Sequence, residues 1–447
     1  MPKLLFSESE QAVKNLKNYI PGGVHYNFRF SAKDTIPFVK AKGSRVWDLD
    51  GNEHLDLFCK FGALIVGHLN EEYNSKLLEY MSKVVSVDQC DLEESVCERI
   101  VRFVPSAEMV RFGLSGTESV QNAIRLARAY TRKPKFVRFE GHFHGNADNI
   151  MGGKQSSSSH PIPVDYDGDI LGTEGRSPGI FQAQSFLIPW NDIDALENLL
   201  QEQGHEIGAV IMEPISINGG GIHPKPGYLE KVRELCNLHH VVLIFDEVIT
   251  GFRVALGGAQ SLLGVTPDIT VFAKAIAGGA LPVSAIAGKK EIMQLYAEQR
   301  VIHAGTFNGY PLGLAAVLAT LELLEKDSGC YERMNGFLNQ IADALVEAAN
   351  NVGIPMVVQG APGVLVFHSQ STPMTDSGHY EQSTMFQDIL ISKVCRDYGI
   401  QFSPISRFCG NLLMSESDVD FFKERIVEVM DEVKKISQNP NGFYRSF

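Results

Sequence analysis

Short apolar runs separated by helical patterns dominate the middle of this chain of 447 residues. The runs between about residues 56 and 324 are Met109–Phe112, Phe136–Phe139, Ala209–Met212, Val241–Phe245, Ile269–Ala273 and Ser284–Ala287. A strand that is buried on both faces appears in a sequence as a continuous apolar run. The alternation of such runs with helical patterns predicts an α/β fold, in which a mostly parallel sheet lies between helices.

The two ends of the chain show a different pattern and predict a smaller α+β domain. Near the N-terminus, Trp47–Asn52 predicts a hairpin, and after residue 325 a helical pattern leads into a strand at Gly363–His368. In the last helical pattern, Ser415 and Asp418 have the spacing of a capping box. We expect residues 1–55 to contribute to the smaller domain, 56–324 to form the large domain and 325–447 to complete the smaller one.

Two polar stretches interrupt these patterns. Gly152–Ser185 is rich in Ser, Gly, Pro and Asp, and Ser369–Ser383 is a shorter polar insertion. The first stretch is too long for a simple connection between two elements of a compact domain. It is either a lid over a site or a poorly ordered excursion.

Composition and charge exclude several classes of function. The formal net charge is −13 and no stripe of Lys and Arg occurs, which argues against a nucleic-acid partner. No apolar run approaches the length of a membrane span. Seven dispersed cysteines without metal-ligand spacing indicate free thiols and no bound metal. Since the N-terminus also lacks the pattern of a signal peptide, we expect a cytoplasmic protein.

A lysine and an aspartate follow two of the apolar runs. Lys274 comes directly after Ile269–Ala273, and Asp246 after Val241–Phe245. The carboxyl ends of parallel strands share one rim of the sheet, where open α/β folds bind ligands. A lysine there can form a Schiff base with an aldehyde cofactor, and a buried aspartate can hold a ring nitrogen protonated. The pair points to pyridoxal phosphate, the alternative being that Lys274 merely ends a strand in solvent.

A candidate anion site lies between the apolar run Met109–Phe112 and the helical pattern that follows it. Ser115, Gly116 and Thr117 combine hydroxyl groups and a glycine at a helix start, where free N–H groups bind phosphate oxygens. Ser and Thr also cap helices where no ligand binds, and that alternative stays open. A Rossmann-type dehydrogenase is disfavoured, because the segment lacks the third glycine of its G-x-G-x-x-G pattern.

Three further residues after apolar runs are candidates for cofactor contacts. Phe143 could stack on a flat heterocycle and His144 could tune it, unless the phenylalanine is core and the histidine a loop residue. The carboxylate of Glu213 directly follows the run Ala209–Met212. An unpaired charge is expensive inside a sheet, so this acid is either solvated or matched to a partner.

Six motifs together resemble those of the class III aminotransferases, which are pyridoxal-phosphate enzymes of fold type I. The motifs are SGTE (115–118), FEGHFHG (139–145), EPISIN (213–218), FDEVITGFR (245–253), Lys274 with AGGALP (277–282), and HAGTFNGYP (303–311). Their order and spacing match that family. The resemblance runs from about Tyr19 to Val433, and within the family it is greatest to the glutamate-1-semialdehyde 2,1-aminomutases and their transaminase relatives.

The resemblance implies specific roles. Lys274 would bind the cofactor covalently and move protons, and Asp246 would pair with its ring nitrogen. Thr306 would reach the phosphate in a neighbouring subunit, so that the functional unit is a homodimer with shared active sites. The other implied contacts are to the ring faces (Val248, Phe143), the phosphate (Gly116, Thr117) and the ring-oxygen side (Glu213, Asn218).

The expected substrates follow from the arginines that the resemblance highlights. Arg29 aligns with an aminomutase arginine that binds the substrate carboxylate, whereas its bulky neighbours, Tyr26 among them, could line a different pocket. Arg407 resembles the carboxylate-binding arginine of β-amino-acid transaminases. We therefore expect an aminotransferase that moves an amino group between a carboxylate-bearing amine and a keto or aldehyde acceptor. An aminomutase is the close alternative, and a non-catalytic scaffold a remote one.

Overall fold

The helices and strands alternate along most of the chain. The computed structural model describes residues 2–26, 35–151, 184–376, 382–404 and 406–439. Its strands are β1 (Phe38–Lys42), β2 (Arg45–Asp48), β3 (Glu53–Asp56), β4 (Met109–Gly113), β5 (Lys135–Phe139), β6 (Ser185–Ile188), β7 (Ile207–Met212), β8 (Val242–Asp246), β9 (Ile269–Phe272), β10 (Ser284–Gly288), β11 (Val357–Ala361), β12 (Val364–His368), β13 (Ile400–Gln401) and β14 (Arg407–Cys409). Its helices are α1 (Ser7–Leu16), α2 (Cys59–Gly62), α3 (Glu71–Met81), α4 (Leu92–Phe103), α5 (Gly116–Thr131), α6 (Ile193–Gln203), α7 (Tyr228–Leu238), α8 (Gly258–Leu263), α9 (Lys290–Ala297), α10 (Pro311–Lys326), α11 (Cys330–Asn351), α12 (Gln382–Asp397) and α13 (Glu416–Ser437).

A seven-stranded sheet forms the centre of the fold. Its strand order is β4-β10-β9-β8-β7-β5-β6. Every neighbouring pair is parallel except the two pairs that β10 makes with β4 and β9. The mostly parallel sheet predicted from the apolar runs is confirmed, and each run corresponds to one strand. The edge strand β6 was not predicted, because it begins at the end of the polar stretch Gly152–Ser185.

Burial on both faces of this sheet explains why its strands are continuous apolar runs. Along β8, Val242 and Ile244 pack with residues of α5 and α9, whereas Leu243 and Phe245 pack on the other face with residues of α6 and α7. Side chains alternate between the faces of a strand, so two covered faces require apolar residues at every position. Each such side chain contributes about 1.5–3 kcal/mol on burial.

Two smaller sheets are built from the ends of the chain, and the first of them combines both ends. One has the order β1-β2-β3-β13 and the other the order β11-β12-β14. The hairpin predicted around Trp47–Asn52 is the β2–β3 pair, and β3 continues in parallel pairing with β13, where Leu55 lies opposite Ile400. Leu55 shares a core with Ile341 and Phe422 of the C-terminal helices. Strand β1 was not predicted, because its side chains are mostly exposed and leave no apolar pattern.

Details of the C-terminal part agree with the sequence pattern. Helix α13 begins with a capping box between Ser415 and Asp418, as predicted. Residues 152–183 of the first polar stretch and 377–381 of the second lie outside the described residues. Within the described ranges, no helix combines the length and the apolar character needed to cross a membrane.

Candidate active site

A cavity of about 210 Å³ opens at the carboxyl ends of the central strands. It brings together residues from the turns after β4, β5, β7, β8 and β9. The lining residues are Gly116, Thr117, Val120, Phe143, His144, Gly145, Glu213, Asn218, Asp246, Val248, Ile249, Ala273 and Lys274. Lys274 and Asp246 thus share one cavity, as the common rim of parallel strand ends led us to expect.

Lys274 begins a short 3-10 turn directly after β9 and has a strained backbone. Its φ of +50° lies in the left-handed region, which costs roughly 1–2 kcal/mol for a residue with a side chain. Such conformations persist where the surrounding structure imposes them, often at functional sites. Burial, followed by repulsion from Arg407, lowers the pKa of the Lys274 amine from 10.5 to about 8. A larger share of the amine is therefore neutral, and nucleophilic, near neutral pH than for a lysine in solvent.

Asp246 is held by a buried histidine and by the backbone. His144 Nδ1 lies 2.7 Å from Asp246 Oδ2, and both side chains are almost fully buried. The N–H of Val248 donates to Asp246 Oδ1 over 3.1 Å. Because a carboxylate only accepts hydrogen bonds, the proton of His144 is on Nδ1. The two bonds fix the orientation of a carboxylate that also faces the cavity.

The start of α5 forms another part of the wall. Ser115 caps the helix, since its hydroxyl accepts a hydrogen bond from the N–H of Glu118 over 3.2 Å. A Cβ at Gly116 would lie 3.1 Å from Val248 Cγ2, and a Cβ at Gly145 would lie 2.5 Å from Thr117 Oγ1. The two glycines thus allow close approach of neighbouring segments around a helix N-terminus, which favours anions.

Glu213 and Asn218 form a hydrogen-bonded pair on the same wall. Glu213 Oε1 accepts from the N–H of Phe143 and from Asn218 Nδ2, each over 2.8 Å, and Oε2 accepts from the N–H of Asn218 over 3.1 Å. Burial raises the pKa of the Glu213 carboxyl group. Arg407 Nη2 in turn donates to Asn218 Oδ1 over 2.8 Å. A buried cation is therefore linked to the cavity through an amide.

His142 is a supporting residue that the sequence did not single out. Its Nδ1 accepts from the N–H of Glu213 over 3.0 Å, and its ring lies 4.6 Å from that of Trp190. Burial, together with His144, lowers the pKa of His142 well below 6.5, so the ring stays neutral. The only signal for this role in the sequence was the order His142-Phe143-His144, because consecutive side chains point in different directions.

Some expected residues do not line the cavity. Ser115 serves as a helix cap, Tyr26 lies with its ring 6.0 Å from that of Phe61, and Thr306 is exposed on the loop before α10. Arg407 does not line the cavity, although it bonds Asn218 and repels the amine of Lys274, and Arg29 lies outside the described residues. The lining residues that were not predicted are Val120, Gly145, Ile249 and Ala273.

The polar groups of the cavity fit pyridoxal phosphate. Lys274 offers an amine of lowered pKa, Asp246 a carboxylate, and the start of α5 an anion site with the hydroxyl of Thr117. Phe143 and Val248 provide surfaces for a flat ring. Among the described residues, no group of three or more His, Cys, Asp and Glu side chains is placed to hold a metal ion.

Comparisons with known proteins agree with this chemistry. The family model described as aminotransferase class-III matches residues 30–427. The chain is 35% identical to glutamate-1-semialdehyde 2,1-aminomutase 2 of Brevibacillus brevis over 96% of its own length and 98% of the relative, and 36% identical to glutamate-1-semialdehyde 2,1-aminomutase of Syntrophobacter fumaroxidans over 94% and 96%. A solved ω-transaminase from Sphaerobacter thermophilus is similar in structure, with a TM-score of 0.87, 28% identity and coverage of 95% of this chain and 98% of that one. The chain therefore belongs to the class III aminotransferases, enzymes of fold type I that transfer amino groups with pyridoxal phosphate.

Proposed function

We propose that this enzyme is a transaminase for amines that carry a carboxylate, with a keto or aldehyde compound as the acceptor. The observation that carries this proposal is the buried guanidinium of Arg407 behind Asn218. Amines of this class include α-amino acids and β-amino acids. The proposal goes beyond the family, whose shared chemistry is the transfer of an amino group.

Lys274 and Asp246 are the proposed catalytic residues. Pyridoxal phosphate, when bound, supplies an electron sink for the carbon that loses a proton. The amine of Lys274, whose pKa is lowered to about 8, can accept a proton from that carbon and return it. Asp246, oriented by His144 and the N–H of Val248, is placed to stabilise a positive charge on a ring nitrogen. Lys274 would therefore move the proton whose removal begins the reaction, and Asp246 would support that removal through the ring nitrogen.

The other lining residues are proposed to position the cofactor. Gly116, Thr117 and the N-terminus of α5 would bind its phosphate, with Ser115 acting through the helix cap. Val248 and Phe143 would contact the two ring faces. Glu213 and Asn218 would contact the ring-oxygen side, and His144 would act on the ring through Asp246.

Arg407 supports the proposed substrate class through its charge. It is almost fully buried, and burial lowers the pKa of its guanidinium. No carboxylate of the described residues forms an ion pair with it within 4.0 Å, although Glu213 acts on it from farther away. Its Nε has no hydrogen-bond partner among the described residues. Since a buried cation is costly without an anion, a substrate carboxylate would be a favourable partner.

Replacing the cation tests this role. Arg407→Met should raise KM for carboxylate-bearing amines by about ten- to a hundredfold, the loss expected for a hydrogen bond to a charged group. KM for amines without a carboxylate should change by about threefold or less. The pH at which Lys274 loses its proton should also increase, because a repelling charge is removed. Equal increases in KM for both classes of amine would show that Arg407 acts only by holding Asn218.

An intramolecular aminomutase is the second candidate, favoured by the curated relatives. Both are glutamate-1-semialdehyde 2,1-aminomutases that align over nearly the whole chain. One assay separates the two functions. The purified holoenzyme is incubated with α-, β- and γ-amino acids, each with and without pyruvate or 2-oxoglutarate, and with glutamate 1-semialdehyde alone. Turnover that requires both an amine and a keto acid supports the transaminase, and efficient conversion of the semialdehyde alone contradicts it.

The functional unit is proposed to be a homodimer with shared active sites. Thr306 lies on an exposed loop outside the cavity, and its neighbours Ile302 and Phe307 are 71% and 57% exposed. Exposed apolar side chains around a residue assigned to a phosphate fit contact with a second copy of the chain.

All seven cysteines are free, which supports a cytoplasmic location.

The proposed domain boundaries follow the sheets. Apart from Asp56 at the end of β3, residues 1–55 and 325–447 contribute the two smaller sheets, and residues 56–324 contribute all seven strands of the central sheet. The cavity belongs to the large domain, whereas Arg407 approaches it from β14 of the smaller one.

A further inference from the structure

The loop after β7 carries two polar residues of the cavity and is folded back on itself. Glu213 and Asn218 line the cavity. The N–H of Ser216 donates to the carbonyl of Ile222 over 2.9 Å, and the N–H of Ile222 donates back over 3.1 Å. The loop is therefore a tight hairpin. Its tip, residues 220–221, is absent from the cavity lining and lies against the β11-β12-β14 sheet.

Two side chains of that sheet hold one carbonyl at the tip. Gln359 Nε2, on β11, donates to the carbonyl oxygen of Gly220 over 3.1 Å. His368 Nε2, on β12, lies 2.8 Å from the same oxygen. A carbonyl oxygen only accepts hydrogen bonds, so His368 is the donor there. Two donors from neighbouring strands fix both the position and the direction of this carbonyl.

The tip of the loop and the sheet also approach each other closely. Gly220 has a φ of +116°, and a Cβ there would lie 3.0 Å from Met374 Sδ. A Cβ at Gly221 would lie 3.0 Å from the carbonyl oxygen of Gln359. Gln359 is itself held, because its Oε1 accepts from the N–H of Met374 over 2.8 Å. Only a glycine tip fits this contact.

Apolar packing continues the contact toward the cavity. Ile215 and Ile217, which are almost fully buried, belong to one cluster with Ala361 and Val364 of β11 and β12. The hairpin is thus supported along its length by the smaller sheet. Asn218 lies between this packed region and the tip, and it bonds Glu213 on its cavity side.

We propose that Gln359 and His368 are positioning residues for the active site. By fixing the Gly220 carbonyl they hold Asn218, two residues earlier, and through it the carboxylate of Glu213. The inference rests on the proposed role of Glu213 and Asn218 as cofactor contacts. It assigns to the three-stranded sheet a direct part in shaping the cofactor site of the large domain.

The experiment compares His368→Leu, Gln359→Met and the double variant with the wild-type holoenzyme. The readouts are the dissociation constant of pyridoxal phosphate and the visible circular dichroism of the bound cofactor. Each single variant leaves one donor to Gly220 and should weaken cofactor binding by about fivefold or less. The double variant leaves a buried carbonyl without either donor and should weaken it by about ten- to a hundredfold, more than the product of the single effects. The dichroism band should change with it.

Three further variants make the result decisive. His54→Leu removes another fully buried histidine of the smaller domain, one that bonds Asp48 and Gln401, and it should lower thermal stability without changing the cofactor readouts. His368→Gln keeps a donor and should restore most of the binding lost in His368→Leu. If the double variant does not fold, the comparison of His368→Gln with His368→Leu decides the question. Asn218→Ala should change both readouts by itself.

Different failures have different meanings. If Asn218→Ala leaves affinity and dichroism unchanged, the proposed role of Asn218 is wrong. If Asn218→Ala changes them but the Gln359 and His368 variants do not, the positioning role is wrong and the proposed function stands. Equal changes in His54→Leu and His368→Leu would also overturn the positioning role, because they would reflect general loosening of the smaller domain.

Discussion

Lys274→Ala should lower kcat by about four orders of magnitude while the protein still folds. The variant loses the only amine of the described cavity lining, and with it the proton carrier, a contribution of about 10²–10⁴-fold in enzymes that use general acid–base catalysis. The fold should survive, because the amine is desolvated and its removal eliminates a burial cost. Steady-state kinetics and a thermal melt by circular dichroism measure the two effects. Borohydride treatment followed by peptide mass spectrometry should label Lys274 in the wild type.

Lys289→Ala is a matched control. Lys289 also follows a strand of the central sheet, β10, but its half-exposed side chain pairs with the buried Asp268 over 2.7 Å. Arg233 still pairs with Asp268 over 2.8 Å in this variant, and Lys289 does not line the cavity, so activity should stay within about twofold of the wild type. Near-normal turnover in Lys274→Ala, or loss of activity in both variants, would refute the assignment of Lys274.

The central sheet could be predicted because its physical signal is local. Strands covered on both faces need apolar residues at every position, and this requirement places β8 and β9 in the sequence to within about one residue. The antiparallel direction of β10 could not be predicted, since an apolar run looks the same in either direction. Strand β1 has one exposed edge and mostly exposed side chains, which removes the pattern altogether.

The candidate site also has parts that the sequence predicts and parts that it does not. Lys274 and Asp246 could be placed together because carboxyl ends of parallel strands share a rim, an argument that needs only local patterns. The bond of Arg407 to Asn218 joins residues 189 positions apart, and the bond of His368 to Gly220 joins residues 148 apart. No period or spacing encodes such contacts, because they arise where one sheet packs against the loop of another. The sequence thus predicts the two groups proposed to react, and tertiary packing determines which residues hold them.

Asp246→Asn should slow proton abstraction from the substrate by about a hundred- to a thousandfold, the usual loss for a preorganised electrostatic contact. The amide has nearly the same shape and can still accept from the N–H of Val248. The amide carries no negative charge, however, and its NH₂ group would face His144 Nδ1, which is the donor to Asp246 in the wild type. His144 would have to move its proton to Nε2, which is buried without a hydrogen-bond partner among the described residues. That rearrangement adds a cost of about 1–3 kcal/mol.

Rapid mixing with a substrate deuterated at the carbon that bears the amine measures this effect. The isotope effect on kcat should grow toward its intrinsic value, because removal of the hydrogen becomes fully rate-limiting, and cofactor should remain bound. Glu247→Gln is the control, since Glu247 is the next residue and equally buried but bonds Thr250, Ala259 and Gln260 away from the cavity. It should affect thermal stability and leave the isotope effect unchanged. An unaltered rate of proton abstraction in Asp246→Asn would exclude the proposed contact with the ring nitrogen.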